Sequence, residues 1–517
     1  MSTSATRAST QPIPDAIFGI DVGHSSAKVV GCFLLSNGEY SALTNITWPG
    51  CFPGHALPAV VAYNGTKAVV GEITPTTENN DAYAVFTSFK FAALATDPEQ
   101  KTIKSVRGNS TGNAQGVLIM FLRRVFEGVE NFYNANRANL GHLPTWGTAI
   151  IDFEFSVPSL LDENARRILV NSARQAAGLS ANSRRKHTVR EITLTEAEAV
   201  AVGAVNTLRR LNDNVGKICM VVDIGAGTSD VAMLALVDES KGKAKDKAKG
   251  KAKGKKGKSQ IGIKADFLDP VSSTMIGGSL VDEAFRNVLV EYMTPLILPW
   301  CDGGSPSDCA REICRSQEYF TAKATVTKAT TERNHLEISL PGLEPGASID
   351  AARQGGLEIV GGQLCVDSAV FKQLYEEQLL GKDANCRYAL DSIVAQVITM
   401  RDDLYVQKPS RSDVWKALLC RQPGQCQDAI DFLIFAGGMG ASKYIQERLQ
   451  EELGVGARPK QGEASTPWDY VTEHTELISH PQPQLCVALG LVRSRMAEVS
   501  PDSGCNYKGT TITRSKH

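Results

Sequence analysis

Three stretches of this chain combine carboxylates, hydroxyls and glycine in the way phosphate chemistry requires. Backbone N–H groups must approach phosphate oxygens closely, and glycine allows the tight turn without side chains that this takes. The first stretch is Asp21-Val22-Gly23-His24-Ser25-Ser26, at the end of the strand-like run Ile17-Phe18-Gly19-Ile20. The second is Asp223-Ile224-Gly225-Ala226-Gly227-Thr228-Ser229-Asp230, directly after the apolar run Ile218 to Val222. Each sets a carboxylate suited to Mg²⁺ or its waters beside glycine and hydroxyl groups suited to phosphate. The third, Phe432-Leu433-Ile434-Phe435-Ala436-Gly437-Gly438-Met439-Gly440-Ala441-Ser442, carries an apolar strand into a double-glycine turn, and a helix-like stretch follows from Lys443 to Glu452. Such a turn lets a flat heterocycle or a ribose pack against backbone. Taken singly, each stretch also fits an ordinary turn at a strand end.

The elements around them are legible from periodicity. Val29 to Leu35 completes a hairpin with the first strand, Ala59 to Ala62 reads as a further strand, and Ala149 to Val157 as another that Pro158 ends. Gly116 to Asn131 and Asp162 to Ala177 carry apolar residues at helical spacing. The second glycine turn leads into Val231 to Val237, which repeats the strand, acid, glycine turn and strand of residues 17 to 35. Two similar half-structures around a cleft are expected.

Composition sets bounds on the reading. The chain has 517 residues, beyond what one core usually serves, so two large lobes are expected. With 42% hydrophobic and 21% charged residues and a net charge of −1, it has a globular profile that predicts no polyanionic partner. No signal-peptide core and no apolar run of membrane-spanning length occur, so a soluble intracellular protein without a transmembrane segment is expected, cytoplasmic or nuclear. Twelve scattered cysteines, Cys301, Cys309 and Cys314 among them, read as free thiols. Residues 240–258 hold ten lysines and one aspartate, a local charge of +9 that leaves −10 for the rest of the chain. This stretch reads as a mobile insert at a hairpin tip, or as a contact for acidic partners.

The order and spacing of the three stretches resemble the phosphate-1, phosphate-2 and adenosine motifs of the actin-like ATPase superfamily. The spacers resemble the seventy-kilodalton heat-shock chaperones in particular: Phe155-Ser156-Val157-Pro158-Ser159, Leu194-Thr195-Glu196-Ala197-Glu198-Ala199, Met275-Ile276-Gly277-Gly278-Ser279-Leu280-Val281-Asp282, and His480-Pro481 with Cys486-Val487-Ala488-Leu489-Gly490. The resemblance covers roughly residues 16 to 495. It implies an α/β architecture with the actin-like ATPase fold, ribonuclease H-like, as two duplicated lobes around a nucleotide cleft. The implied division is a disordered leader over 1–15, lobe I over 16–210, lobe II over 216–478, a connecting helix over 479–497 and a flexible tail over 498–517.

The resemblance also implies roles for single residues, with ATP/ADP and Mg²⁺ as cofactors. Asp21 and Asp223 would hold the Mg²⁺ shell, Asp223 near the attacking water as well. Gly23, His24 and Ser25 would meet phosphate on one side and Gly225, Ala226 and Gly227 on the other, with Thr228 at the γ-phosphate. Lys90 matches the lysine that stabilises the transferring phosphoryl group, although a solvated surface lysine would read the same. Glu196 matches the acid that binds metal-bound water. Gly277, Gly278, Lys323, Gly437, Gly438 and Met439 would line the nucleoside.

Two departures stand out. His24 and Ser25 replace a pair of threonines, and Ala441 stands where an adenine-stacking arginine is expected. The chain also ends about twenty residues after the connecting helix, as in divergent heat-shock-like ATPases, frequent in fungi, that lack the peptide-binding domain. The function expected is an ATP-hydrolysing nucleotide switch without a standard peptide-refolding cycle, working with protein partners or co-chaperones. The alternatives are a nucleotide-binding, inactive interaction platform and a small-molecule kinase of the same superfamily.

Overall fold

Apolar residues on both faces of the central strands bury each main sheet on two sides. The computed structural model describes residues 12–49, 56–71, 83–106, 110–179, 186–205, 216–238, 263–268, 271–296, 305–330, 335–342, 350–381, 392–406, 430–453, 475–499 and 511–513. In the first lobe the chain runs through β1 (Ala16–Val22), β2 (Ser26–Phe33), β3 (Thr44–Asn45), β4 (Leu57–Pro58), β5 (Val60–Tyr63), β6 (Ala68–Val70), β7 (Ala84–Thr87) and α1 (Lys90–Leu94). It continues through β8 (Thr102–Lys104), β9 (Thr111–Asn113), α2 (Ala114–Leu140), β10 (Ile150–Val157), α3 (Glu163–Ala176), β11 (Lys186–Val189), β12 (Leu194–Thr195) and α4 (Glu196–Val205). The main sheet has the order β11-β10-β1-β2-β3, with β12 beside β10 and β4 beside β2.

The second lobe opens with β13 (Ile218–Ile224), β14 (Ser229–Asp238), β15 (Ile263–Phe267), β16 (Ser272–Thr274), α5 (Gly278–Met293), α6 (Pro306–Ile313) and α7 (Gln317–Thr325). Then come β17 (His335–Ser339), β18 (Ala351–Gln354), β19 (Leu357–Val360), β20 (Gln363–Asp367), α8 (Ser368–Tyr375), α9 (Ile393–Val406), β21 (Phe432–Ala436), α10 (Lys443–Glu452), β22 (Glu476–Ser479), α11 (Cys486–Val499) and β23 (Thr511–Thr513). Its main sheet has the order β22-β21-β13-β14-β15-β23, and a four-stranded sheet β17-β20-β19-β18 stands apart. The chain is thus mixed α/β.

The two main sheets repeat one plan. β1 is antiparallel to β2 and parallel to β10, as β13 is antiparallel to β14 and parallel to β21. Both hairpins close on turns of equal length, because Val22 pairs with Ala27 and Ile224 with Ser229. The turns are clasped alike: the Gly23 N–H donates to Ser26 O at 3.0 Å and the Gly225 N–H to Thr228 O at 2.9 Å.

Strand periodicity then aims the acids. In β1, Ala16, Phe18, Ile20 and Val22 face the core formed with α2, while Ile17 faces α11. In β13, Ile218, Met220, Val222 and Ile224 face the core of the second lobe, while Cys219 and Val221 face α4. Asp21 and Asp223 fall on the second face in each strand, toward the space between the sheets. That space is filled by α4 and α11, which cross there; all ten residues of α4 are buried, as suits a helix apolar on every side. At the crossing a side chain on Gly203 would come within 2.5 Å of the Cys486 carbonyl oxygen, and one on Gly490 would collide with the Ala199 carbonyl. Helix α11 is anchored to the first sheet by buried Arg495, which pairs with Asp152 at 2.8 Å, Glu498 at 2.7 Å and Glu154 at 3.7 Å.

Several expected segments come out differently. The leader was expected to be disordered through residue 15, yet the Asp15 N–H donates to Ile150 O at 2.8 Å and its carboxylate accepts from the Ile150 N–H at 2.7 Å. Residues 1–11 lie outside the described residues. The flexible tail expected over 498–517 is corrected where it is described: α11 continues to Val499, and β23 runs parallel to β15, Thr511 opposite Lys264. The Lys-rich insert 240–258 lies outside the described residues, but Asp238 pairs with Ile263, so it joins two arms of a hairpin. Cys309 and Cys314 are not joined in disulfides, and Cys301 lies outside the described residues. Among the described residues no helix is long and apolar enough to cross a membrane.

Candidate functional site

The site lies where the two glycine turns meet above α4. Thr195 and Glu198 form a reciprocal cap at the start of α4, the Thr195 N–H donating to Glu198 Oε2 at 2.7 Å and the Glu198 N–H to Thr195 Oγ1 at 3.3 Å. Glu198 is thereby used as a cap, and Glu196 is free to meet Lys90 of α1. The Lys90 ammonium donates to Glu196 Oε1 at 2.5 Å, both side chains being buried. Ser88, just before this lysine, has φ 52°, the one non-glycine positive φ among the described residues. Backbone strain of this kind clusters at binding and catalytic sites.

Four acids share this interior: Asp21, Glu196, Asp223 and Asp230. Burial raises Asp223 well above the ordinary carboxylate range, and Asp230, Glu196 and Asp21 raise it further, with Lys28 offsetting part of the effect. Glu196 is pushed up to about 7 by burial, against the pull of Lys90 and with the push of Asp21 and Asp230. Asp230 is raised by burial, eased by the hydroxyls of Ser273, Thr228 and Ser159 and by Lys90. The hydroxyls of Ser273 and Ser159 stop short of hydrogen-bonding geometry, so Asp230 Oδ1 is buried without a partner. Among the described residues, the ion pairs made to these four acids are Lys28–Asp21 at 3.6 Å and Lys90–Glu196. The surplus negative charge and the orphaned oxygen of Asp230 fit a bound cation. Among the described residues no three acidic, His or Cys side chains gather closely enough to ligate one ion directly. Carboxylates can also hold a divalent cation through its waters.

The second turn is docked on the start of α5. The Gly278 N–H donates to Gly225 O and the Ser279 N–H to Ala226 O, both at 2.9 Å, and Ser279 Oγ adds a bond to Ala226 O at 2.7 Å. A side chain on Gly277 would strike Ala226, and one on Gly278 would strike Met439. Gly437 has φ 79°, and a side chain there would run into the Ile224 carbonyl and the Asp223 carboxylate. All three glycine stretches of lobe II thus converge on one point; Gly438 has open space beside it.

Thr228 is buried, and its hydroxyl eases the charge of Asp230. Lys323 binds Asp282 of α5 at 2.5 Å, with the rings of Tyr319 and Phe320 about its ammonium. His24 is among the residues that the resemblance sets against phosphate. Its ring instead lies against Gly227 of the opposite turn and beside Phe91, centroids 5.5 Å apart, and its Nδ1 has no partner. Burial and the nearby Lys90 hold it neutral, down to about 4. Ser25 is exposed. Two surface hollows of about 400 and 360 Å³ lie elsewhere, beside Lys101 and Arg167 and along α7.

Sequence reasoning missed Asp230, Lys28 and Phe91 as members of this site. The signal for two of them was present: Asp21 lies opposite Lys28 and Asp223 opposite Asp230, the same offset in both hairpins. No protein-family model matches the chain. No curated protein sequence matches it either.

Proposed function

We propose that this chain is a Mg²⁺-dependent, ATP-binding and ATP-hydrolysing switch with the actin-like ATPase fold, of the heat-shock type. The observation that carries this reading is the convergence of Lys90, Glu196, Asp21 and Asp223 between two equivalently clasped glycine turns. They are the parts hydrolysis needs: a buried cation for developing phosphate charge, acids to receive a proton, and N–H-bearing turns for the phosphate chain. Asp21, Asp223 and Asp230 would hold hydrated Mg²⁺, which when bound neutralises phosphate charge and orients its oxygens.

Lys90, fixed by Glu196, would face the terminal phosphoryl group. Asp223, raised by burial and by its neighbouring acids, would take the proton of the attacking water. The water oxygen bonds to the terminal phosphorus as the bond to the leaving oxygen breaks, which gives ADP and inorganic phosphate. The α4–α11 crossing between the sheets would carry closure of the lobes to protein partners.

Single-turnover hydrolysis with Mg²⁺, alongside ATP binding, tests this. Asp223→Asn and Lys90→Ala should each slow hydrolysis by about 10²–10³-fold while nucleotide still binds. Binding without turnover in the wild-type protein would establish instead an inactive, nucleotide-gated platform, a reading favoured by His24 between the turns and by Ala441. Absence of binding would overturn both.

A further inference from the structure

The two glycine turns do not face each other across open space. A Cβ placed on Gly227 would lie 2.8 Å from both Cβ and Cγ of His24 and 3.2 Å from Cε2 of Phe91. His24 belongs to the first turn and Gly227 to the second, so the imidazole bridges them. It stands at the Lys90 end of the site: Phe91 follows Lys90 in α1, the Lys90 ammonium is 6.0 Å from the Phe91 ring centroid, and Lys90 acts on His24 electrostatically. That end is the one where a terminal phosphate would meet its catalytic partners. His24 is held by packing alone on its Nδ1 side, because that nitrogen is buried with no hydrogen-bond partner.

We propose that His24 is a specificity-determining end stop: seated on Gly227 and against Phe91, it occupies the place of a third phosphate. The site then holds a nucleoside diphosphate in the conformation found here, and a triphosphate only after the ring swings out. The inference rests on the nucleotide-binding reading above. A terminal oxygen of a diphosphate supplies the partner that Nδ1 lacks, so the same ring that excludes the longer chain reads the end of the shorter one. A ring that must leave a packed seat lowers triphosphate affinity by the fraction of time it spends outside, and an outside fraction of about one in ten gives a tenfold penalty. Phe91 is a positioning residue in this scheme, acting through His24.

The test is the ratio of ADP to ATP affinity, measured by titration with Mg²⁺ on the full chain for wild type, His24→Ser and Phe91→Leu, each checked by thermal melting. Wild type should favour ADP by about tenfold, His24→Ser should abolish the preference by gaining ATP affinity, and Phe91→Leu should shift the ratio the same way by less. A merely structural role would weaken both nucleotides together and leave the ratio fixed. A ratio unchanged in both variants, with both nucleotides bound, overturns the end stop while sparing the nucleotide reading. If neither ADP nor ATP binds wild type or His24→Ser, the nucleotide reading fails and the end stop with it.

Discussion

Neutralising one acid of the site should stabilise the fold while removing its activity. Asp223 is 7% exposed, and burial, Asp230, Glu196 and Asp21 all disfavour its charge. Each unit by which a carboxyl is raised on folding corresponds to about 1.4 kcal/mol against the charged form. Asp223→Asn keeps the shape and deletes the charge, so a gain of about 2–3 kcal/mol at pH 8 is expected. At about 2–4 °C per kcal/mol for lobes of this size, the melting temperature should rise by roughly 4–12 °C. The sign follows from linkage. A carboxyl raised on folding carries no penalty below its unfolded value, near 4, where both states are protonated, and the penalty grows as pH climbs toward the folded value. The gain from the variant should therefore be largest at pH 8, smaller at pH 5 and absent toward pH 4. Thermal melts of both proteins without divalent cation, at pH 5 and pH 8, measure this. An Asp223→Asn protein that melts at or below wild type at pH 8, or a gap independent of pH, would refute the crowding of charge on which the site is built.

The pairing of Lys90 with Glu196 should appear in a double-mutant cycle: Lys90→Met alone leaves an acid buried among acids, and adding Glu196→Gln should recover about 1–3 kcal/mol in denaturant unfolding at pH 8. Gly437→Ala forces a side chain into the Ile224 carbonyl from a left-handed backbone, so about 1–3 kcal/mol of stability and at least tenfold in nucleotide affinity should be lost, read by urea unfolding and titration. Arg495→Met strands Asp152, leaves Glu154 with Arg190 at 3.3 Å, and should cost about 3–5 kcal/mol. Burial already holds Glu154 up to about 8 despite Arg190 and Arg495, so it sheds its charge by protonation in acid, and the loss should grow between pH 6 and pH 9 in chemical denaturation.

Local signals carried much of this structure. Helix α10 spans Lys443–Glu452, as its spacing indicates, and α3 begins after Asp162, whose carboxylate caps the Ala165 N–H at 2.9 Å. The two hairpins were legible because an apolar run, an acid and a glycine turn occur in the same order twice. What escaped depends on contacts distant in sequence. Nothing near residue 24 announces that its ring will rest on Gly227, and Asp230 becomes a site acid only once the hairpin register sets it opposite Asp223. The sheet β17-β20-β19-β18 was not anticipated because its strands are short, partly exposed and joined by glycine pairs such as Gly355-Gly356 and Gly361-Gly362. Thr511–Thr513 forms a strand only through the edge that β15 offers it.

The contact of α4 with α11 carries a genetic consequence. Most damaging core substitutions can be relieved by trimming the side chain they strike, which is how second-site suppressors arise within a protein. At Gly203 and Gly490 the atoms struck are main-chain carbonyls of Cys486 and Ala199, and these are present whatever residue those codons encode. Selection for revertants of Gly490→Ala should therefore return glycine itself, or changes that shift a whole helix, and no single replacement at residue 199. Among descendants of this chain, the two glycines should be held independently, each by the other helix's backbone, without trading size as packed side chains do.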